Sequence, residues 1–385
     1  MGFADLTSLP FPWDTLAQAA ARARSHPRGI VDLSVGTPVD PTPSLVQDAL
    51  AAAGDAHGYP TTHGTAALRE AVSTWFDRRR GVPGLDPAAV LPTVGSKELV
   101  ALLPSLLMLG PGDVVVHPSV AYPTYDVGAR LAGATALASS DVAEWEGRTD
   151  VRLVWVNSPG NPTGEVLSVA ELARVVAAAR AVGAVVVSDE CYAELAWDEP
   201  WTGSGVPSIL DPRVTGGSHE GLLAAYSLSK QSNLAGYRSA FVAGDPALVA
   251  RLLELRKHMG MIVPAPVQAA TAAALGDDAH VAAQRETYRR RREVLLPALR
   301  SWGLAVDGSH AGLYLWGRPA GASPGEAVAW QTVDALADLG ILVAPGTFYG
   351  SAGAAHVRVA LTATDERIAE AAARLSAGWP RLVRT

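Results

Sequence analysis

Lys230 is the residue whose type and setting most directly indicate chemistry. It closes the sequence Ser-Leu-Ser-Lys at residues 227–230, and Arg238 follows it eight positions later. Only three of the 31 basic residues are lysines, at positions 97, 230 and 257, and the other 28 are arginines. A guanidinium does not form an imine with an aldehyde at neutral pH, whereas an ammonium that loses its proton does. Lys230 is therefore interpreted as an amine that binds an aldehyde, with a surface lysine as the open alternative.

The aldehyde cofactor that fits such a lysine is pyridoxal phosphate. It needs an acid at its ring nitrogen, donors to its ring oxygen O3′, a phosphate site and an anchor for the substrate carboxylate. Asp189 is the candidate acid because it ends the apolar run 184–189, and ligands bind at the carboxyl ends of strands in open α/β sheets. A carboxylate about 4 Å from the ring nitrogen favours the protonated ring by about 4 kcal/mol at an effective dielectric constant of about 20. Capping of a following helix is the alternative role for Asp189.

Two residues are predicted to hold O3′. One is Tyr192, three positions after Asp189, and the other is Asn161, in a segment (157–164) with two prolines and two glycines. Such a segment forms a rigid, non-helical turn. Tyr122, which follows the apolar run 113–117, is predicted to stack on the pyridine face. Core packing is the alternative for both tyrosines, and a purely structural turn is the alternative for Asn161.

The phosphate site is predicted at Ser96, where Gly95 precedes an apolar stretch with helical spacing. The free N–H groups and the dipole of a helix N-terminus bind anions. Hydroxyl groups and one guanidinium are expected to complete the site, supplied by Ser96, Ser227, Ser229 and Arg238. Lys97 belongs to this cofactor-binding group by position, although its side chain is expected to point to solvent.

Arg358 is the candidate anchor for a substrate carboxylate. It lies between apolar residues in a short predicted strand. A buried arginine requires an anionic partner, and the α-carboxylate of an amino acid would serve. An internal salt bridge is the alternative interpretation.

The elements that must position these residues alternate along the middle of the chain. Five β-branched runs are predicted strands buried on both faces, at residues 113–117, 152–157, 184–189, 222–227 and 240–244. Between them, residues 96–109 and 169–182 have apolar residues at helical spacing. Strands that alternate with helices predict an α/β fold with a mainly parallel sheet.

The pattern changes after about residue 275. Residues 279–302 predict a long basic helix, residues 311–316 and 357–360 predict short strands, and residues 364–375 predict a last helix. Residues 203–221 are rich in Gly, Ser and Pro and are predicted to be a loop. The predicted division is an N-terminal segment (1–40) that packs on the small domain, a large cofactor-binding domain (41–275) and a small α+β domain (276–385).

Length and composition limit the class of protein. A chain of 385 residues with 49% apolar and 18% charged residues is expected to fold into more than one domain. The net charge of −7 argues against nucleic acid as the main partner. A single cysteine, Cys191, excludes an internal disulfide and fits a reducing compartment. No leader is evident, and the longest apolar stretch is too short to cross a membrane. A cytoplasmic protein is expected.

The candidate residues also occur in the order typical of one family. Their sequence context resembles the fold type I pyridoxal phosphate-dependent aminotransferases of class I/II, over residues 10–374. The matching positions are Gly36 to Pro38, Tyr59, Gly64, Gly95, Ser96, Tyr122, Asn161 to Gly164, Asp189 to Tyr192, Ser227 to Lys230, Arg238 and Arg358.

The resemblance implies the fold and the role of each matching residue. The fold implied is a seven-stranded, mainly parallel sheet flanked by helices, with a smaller α+β domain. Lys230 would bind the cofactor and move the proton during transfer, and Gly36 would line the substrate pocket. The implied roles of Asp189, Tyr192, Asn161, Arg238 and Arg358 agree with those given above. A tyrosine at the position of Tyr59 reaches the phosphate of a neighbouring subunit in this family, so a homodimer is implied.

Within the family, the chain looks most like actinobacterial N-succinyldiaminopimelate aminotransferases of lysine biosynthesis. The implied reaction moves an amino group between glutamate or 2-oxoglutarate and N-succinyl-2-amino-6-oxopimelate. No second arginine for a distal carboxylate is identified by motif, and His63, Lys257 and His258 are candidates to meet the succinyl group.

Two alternatives remain open, and two others are not expected. The open ones are an aminotransferase for aspartate, aromatic or other amino acids and a carbon–sulfur β-lyase. The residues do not separate them, because both reactions begin with removal of a proton from Cα. A regulator with an aminotransferase-like domain is not expected, since the family motifs begin by Gly36. A nicotinamide-dependent oxidoreductase is not expected either, because no G-x-G-x-x-G sequence follows the first strand.

Overall fold

A seven-stranded sheet forms the centre of the computed structural model, which describes residues 11–321 and 325–376. The strands lie in the order Val90–Val94, Ser239–Gly244, Leu222–Ser227, Val185–Asp189, Val151–Asn157, Val114–His117 and Thr135–Ala138. Ser239–Gly244 runs antiparallel to both of its neighbours, and the other strands of the sheet are parallel to one another. The predicted α/β fold with a mainly parallel sheet is confirmed.

Five of these strands lie within one residue of the predicted runs. The two strands at the edges of the sheet were not predicted. Val90–Val94 contains Pro92, which a strand tolerates at an edge. Thr135–Ala138 is short and only partly buried, so it lacks the continuous apolar pattern of the inner strands.

Helices cover both faces of this sheet. They are Ser44–Ala52, Ala66–Arg80, Ser96–Leu106, Thr124–Leu131, Val169–Val182, Pro246–Met259 and Ala265–Gly276. Ser168 caps Val169–Val182 through a reciprocal pair with Glu171, and Gly183 ends that helix at φ 70°. The predicted helix at 96–109 ends at Leu106, and Met108 has a left-handed backbone with φ 60°.

The predicted loop at 203–221 is wrong in part. Two single-turn helices, Trp201–Ser204 and Pro212–Thr215, lie in or at the start of it. Asp211 caps the second one by accepting from the backbone N–H of Arg213 at 2.8 Å. Short helices of this kind follow from local capping rather than from apolar periodicity, so the composition alone did not indicate them.

A second, antiparallel sheet has the strand order Ala344–Pro345, Val357–Ala360, Tyr314–Pro319 and Leu304–Asp307. The helices Ala279–Trp302, Glu326–Asp338 and Asp365–Leu375 accompany it. The strand predicted at 311–316 begins later, at Tyr314, because Ala311 instead forms an isolated bridge with Ala196.

The N-terminal residues pack with this second sheet. Val31–Asp32 pairs in parallel with Ile341–Leu342, and the helix Ala17–Arg24 precedes it. Leu16, Ala23, Trp302 and Ile341 belong to one buried apolar cluster. The domain boundaries after residues 40 and 275 stay a prediction. The two ends of the predicted division, residues 1–10 and 377–385, lie outside the described residues.

Short 3₁₀ helices complete the described elements, at Pro12–Leu16, Pro87–Ala89, Val142–Glu144, Gly346–Tyr349 and Ser351–Gly353. None of the helices in the described ranges is both long and apolar enough to cross a membrane.

Candidate active site

A cavity of about 530 Å³ opens at the carboxyl ends of the central strands. Most of the cofactor- and substrate-binding candidates named from the sequence line it: Gly36, Ser96, Lys97, Tyr122, Asn161, Asp189, Tyr192, Ser227, Ser229, Lys230, Arg238 and Arg358. These residues come from positions 36 to 358 of the chain, so the fold brings them together. A second described cavity, of about 360 Å³, holds none of them.

Lys230 lies in the turn that follows the strand Leu222–Ser227. Its Nζ donates to the backbone carbonyl of Gly36. Gly36 must be a glycine, because a Cβ atom at this position would lie 2.0 Å from the hydroxyl oxygen of Tyr314. A side chain at this position would therefore displace the ring of Tyr314.

Asp189 is buried at the end of the strand Val185–Asp189. Its Oδ2 accepts from the hydroxyl of Tyr125 at 3.0 Å, and its Oδ1 accepts from the backbone N–H of Cys191 at 3.2 Å. Burial raises the pKa of the Asp189 carboxyl, while the hydrogen bonds from Cys191 and Tyr125 and the charge of Lys230 oppose that rise. Tyr125 was missed from the sequence, although it lies three residues after Tyr122 and thus one helical turn further on.

Replacing Tyr125 by phenylalanine is expected to raise the pKa of Asp189 further. The hydroxyl donates to the ionised carboxylate, so its loss favours the neutral acid. Activity that depends on ionised Asp189 should then begin to fall at a higher pH on the acidic side. The pH profile of kcat measures this shift, with Tyr237→Phe as a control outside the cavity lining. An acidic limb that does not move would contradict the proposed support of Asp189 by Tyr125.

Asn161 and Tyr192 face the same space. The backbone N–H of Asn161 donates to Oδ1 of Asn157 at 2.8 Å, which fixes the turn. The hydroxyl oxygen of Tyr192 lies 3.2 Å from that of Tyr314. Burial raises the pKa of Tyr192 well above its ordinary value, so its hydroxyl keeps a proton to donate. Tyr314, which sequence analysis also missed, comes from the second sheet and so was not visible as a neighbour along the chain.

Arg358 is buried without an anionic partner among the described residues. Its Nη1 donates to Oδ1 of Asn161 at 3.0 Å, and its Nη2 donates to the carbonyl of Ser34 at 2.6 Å. Its Nε is buried and finds no hydrogen-bond partner within the described ranges. The guanidinium lies 4.0 Å from the ring centroid of Tyr314 and 5.0 Å from that of Tyr349. The structure thus contradicts the internal salt bridge and leaves a desolvated cation with capacity for a carboxylate.

The other end of the cavity has the properties of an anion site. Ser96 is the first residue of the helix Ser96–Leu106, and the hydroxyl of Ser227 donates to that of Ser229 at 2.8 Å. Arg238 donates from Nη1 to the carbonyl of Ala235 and forms no ion pair among the described side chains. A Cβ atom on Gly95 would lie 2.1 Å from Nη2 of Arg238, so the glycine leaves room for the guanidinium beside the helix start.

These groups fit pyridoxal phosphate. The cavity offers a primary amine, a buried carboxyl, neutral donors, a helix N-terminus with hydroxyls and a guanidinium, and a second buried guanidinium with an unpaired N–H. When bound, this cofactor supplies an electron sink for negative charge at the substrate Cα.

Four further candidates are placed outside the cavity lining. Tyr59 is fully exposed. His63 contacts the carbonyl of Ala88 through Nε2, at 3.2 Å, and Lys257 pairs with Glu254 at 2.6 Å. His63, Lys257 and His258 do not line the cavity, so within one chain they do not meet a succinyl group.

Lys97 does line the cavity, at its mouth. Its side chain is exposed, as expected, and its Nζ lies 5.5 Å from the ring centroid of Phe11 and 5.9 Å from that of Tyr122. No acidic side chain in the described ranges pairs with it. Lys97 is thus a free cation between the aromatic residues at the entrance.

Comparison with known proteins agrees with this geometry. Residues 28–375 match the family model for aminotransferase class I and II. The chain is 57% identical to the 4-dedimethylamino-4-oxo-anhydrotetracycline transaminase OxyQ of Streptomyces rimosus, over 95% of this chain and 98% of that protein. It is 59% identical to the probable aminotransferase Rv1178 of Mycobacterium tuberculosis, over 96% of this chain and 86% of that protein.

The solved structures give the same result. A probable N-succinyldiaminopimelate aminotransferase from Thermus thermophilus superposes with a TM-score of 0.83 at 28% identity, over 95% of this chain and all (100%) of that one. The protein therefore belongs to the class I and II aminotransferases, which have the fold type I architecture and depend on pyridoxal phosphate.

Proposed function

We propose that this aminotransferase moves an amino group between glutamate or 2-oxoglutarate and N-succinyl-2-amino-6-oxopimelate, in lysine biosynthesis through diaminopimelate. The observation that carries the amino-acid part of this proposal is Arg358. Its guanidinium is buried, has no carboxylate partner in the described chain and lies in the same cavity as Lys230. An α-carboxylate would supply the missing counter-ion.

The cavity residues have the following proposed roles. Lys230 holds the cofactor and moves the proton to and from the substrate Cα. Asp189 binds the ring nitrogen, and the amide of Asn161 and the hydroxyl of Tyr192 donate to O3′. Tyr122 stacks on the ring, and Gly36 lines the substrate pocket. The phosphate is bound by Ser96, Ser227, Ser229, Arg238 and the backbone N–H groups at Ser96 and Lys97.

The second carboxylate of the proposed substrates is assigned to Lys97. It lines the cavity, is exposed and forms no ion pair with the described side chains, whereas Arg358 lines the same cavity and is buried. A dicarboxylate that contacts Arg358 with its α-carboxylate can extend towards the entrance, and a long succinylated chain requires an open mouth. The name of the Thermus thermophilus protein supports this choice of acceptor.

A ketone on a polycyclic ring is the second candidate acceptor. The Streptomyces rimosus relative is named for such a substrate and is more similar to this chain, at 57% identity, than the Thermus thermophilus protein, at 28%. The entrance has the apolar side chains Phe11, Trp13 and Val35, of which Phe11 and Val35 are exposed. Arg358 would still bind glutamate as the donor.

We also propose a cytoplasmic homodimer with shared active sites. Tyr59 is 100% exposed in the single chain, so its side chain is accessible to a second subunit. In the proposed dimer its hydroxyl reaches the phosphate in the neighbouring subunit. Tyr59→Phe should then weaken cofactor retention without changing the cavity of its own chain.

A panel of acceptors with glutamate as donor tests the proposal. Formation of 2-oxoglutarate should be fastest with N-succinyl-2-amino-6-oxopimelate, compared with oxaloacetate, phenylpyruvate and a tetracycline-type ketone. Preference for the ketone would establish the second candidate. Release of ammonia and pyruvate from cysteine derivatives, without formation of 2-oxoglutarate, would identify a β-lyase instead.

Lys97→Gln is expected to raise the KM for dicarboxylate acceptors by up to about fivefold, because an exposed charge–charge contact contributes up to about 1 kcal/mol. The KM for pyruvate, which has one carboxylate, should stay within about twofold. Steady-state kinetics with both acceptors measure the difference. Lys257→Gln removes an exposed lysine that lies outside the cavity and is the matched control. Equal effects on both acceptors would contradict the role of Lys97.

A further inference from the structure

Three side chains outside the cavity form a hydrogen-bonded chain beside the loop that carries Lys230. Nδ1 of His280 lies 2.7 Å from Oδ2 of Asp277, and its Nε2 lies 2.8 Å from the hydroxyl oxygen of Ser232. The carboxylate only accepts hydrogen bonds. In the neutral imidazole Nδ1 therefore carries the proton, and Nε2 accepts from the hydroxyl of Ser232.

A serine, a histidine and a carboxylate in this order also form the nucleophilic triad of hydrolases. The position of Ser232 excludes that use, because its side chain is 0% exposed and lines neither of the two described cavities. No substrate can reach the hydroxyl. The effect of the cluster must therefore be on the backbone segment that it holds.

That segment is the turn that follows Lys230. The backbone N–H of Ser232 donates to the carbonyl of Leu228 at 3.2 Å. Asn233 has a left-handed backbone with φ 56°, a conformation that asparagine adopts more readily than most residues other than glycine. Its side-chain Nδ2 donates to Oε1 of Gln284 at 2.7 Å and to the carbonyl of Pro41 at 3.2 Å. Two neighbouring side chains thus fix the turn from outside.

Both of these contacts come from one face of the helix Ala279–Trp302. His280 and Gln284 are four residues apart and so lie on the same side of the helix. Nε2 of Gln284 also donates to Oδ2 of Asp40 at 2.9 Å. Asp40 is four residues after Gly36, whose carbonyl accepts from Nζ of Lys230. The helix face therefore contacts both segments that hold the lysine.

We propose that His280, oriented by Asp277, is a positioning residue for Lys230, with Gln284 as its partner on the same helix face. The inference rests on the proposed role of Lys230 as the amine of the site. His280 touches neither cavity and acts through Ser232, two residues from the lysine. A catalytic group misplaced by about 1 Å reduces the rate by about 10²-fold, so loss of one of two anchors should have part of that effect.

Ser232→Ala and His280→Ala in the full-length protein test the proposal. For each variant, kcat should fall by about 5- to 30-fold, while the KM for glutamate changes by less than about twofold. Amide hydrogen exchange at residues 230–234 should become about tenfold faster, both with and without cofactor. The double variant should be no worse than the more impaired single variant, because the two side chains form one contact. Ser232→Ala is the smaller change and is decisive if His280→Ala does not fold.

His310→Ala is the matched control. Nδ1 of His310 also contacts an aspartate, Asp198, at 3.0 Å, whereas it is His280 that contacts Ser232 in the turn after Lys230. It should leave kcat and the exchange at residues 230–234 unchanged. Ser232→Ala and His280→Ala variants with wild-type kcat, or with a lower melting temperature alone, would overturn the proposal. Hydrogen exchange requires no substrate, so this result does not depend on which amino acceptor the enzyme uses. Cofactor bound at another lysine would separately refute the role of Lys230.

Discussion

Replacement of Lys230 by alanine is expected to abolish amino transfer, with turnover reduced by about 10⁴-fold or more. The substitution removes the amine that holds the cofactor and the group proposed to move the proton at Cα. Lys97 also lines the cavity, but at its exposed mouth, so it does not replace Lys230. The absorbance of bound cofactor in the visible range should be lost as well. Steady-state turnover with glutamate and the absorbance spectrum are the two measurements.

Lys257→Ala provides the control for loss of a lysine. Its ammonium is exposed and pairs with Glu254 at 2.6 Å on the surface, so turnover and spectrum should match those of the wild type. Borohydride reduction of the loaded protein, followed by peptide mapping, should place the label on the peptide that contains residue 230. A label on the peptide of Lys97 or Lys257, or an active and coloured Lys230→Ala variant, would refute the assignment.

The parts of the site that could be predicted from sequence lie at the ends of regular elements. Asp189 ends a buried strand, Ser96 starts a helix, and Lys230 follows a strand. Each position follows from the local apolar pattern, and the carboxyl ends of parallel strands share one edge of the sheet. The convergence of these residues on one cavity therefore follows from the alternation of strands and helices.

The residues that were missed depend on contacts between distant segments. Tyr314 lies in the antiparallel sheet, and its approach to Gly36 depends on how that sheet packs against the N-terminal residues. Tyr125 supports Asp189 across 64 residues of sequence. Ser232 and His280 are separated by 48 residues. No periodic pattern specifies such pairs, because side chains that meet through tertiary packing have no fixed spacing along the chain.

The fold also has parts that could be predicted from the sequence and parts that could not. The inner strands were predicted to within one residue because they are continuous apolar runs, while the edge strands Val90–Val94 and Thr135–Ala138 were not. An edge strand pairs on one side only and is less strictly buried, so its sequence carries less of the strand pattern. The resemblance to a known family supplied the seven-stranded topology, which the apolar runs alone did not specify.

Replacement of Arg358 by methionine is expected to reduce kcat/KM for glutamate by about 10²- to 10³-fold, mainly through KM. The loss of a buried, hydrogen-bonded charge pair with a ligand costs about 2–5 kcal/mol, and each 1.4 kcal/mol corresponds to about a factor of ten. Arg318→Met is the control, because Arg318 pairs with Asp307 and does not line the cavity. Unchanged saturation by glutamate would show that another group binds the α-carboxylate.

The stability of the Arg358→Met variant distinguishes a substrate anchor from a structural residue. Arg358 has no carboxylate partner within residues 11–321 and 325–376, so the substitution breaks no internal salt bridge and removes an unpaired buried charge. The carbonyl of Ser34 and Oδ1 of Asn161 lose their donor, which costs about 1–3 kcal/mol each and opposes that gain. We therefore expect Tm to change by less than about 4 °C while glutamate binding is lost. A large fall in Tm would mean that the guanidinium stabilises the fold, and the kinetic loss would then not identify it as the anchor.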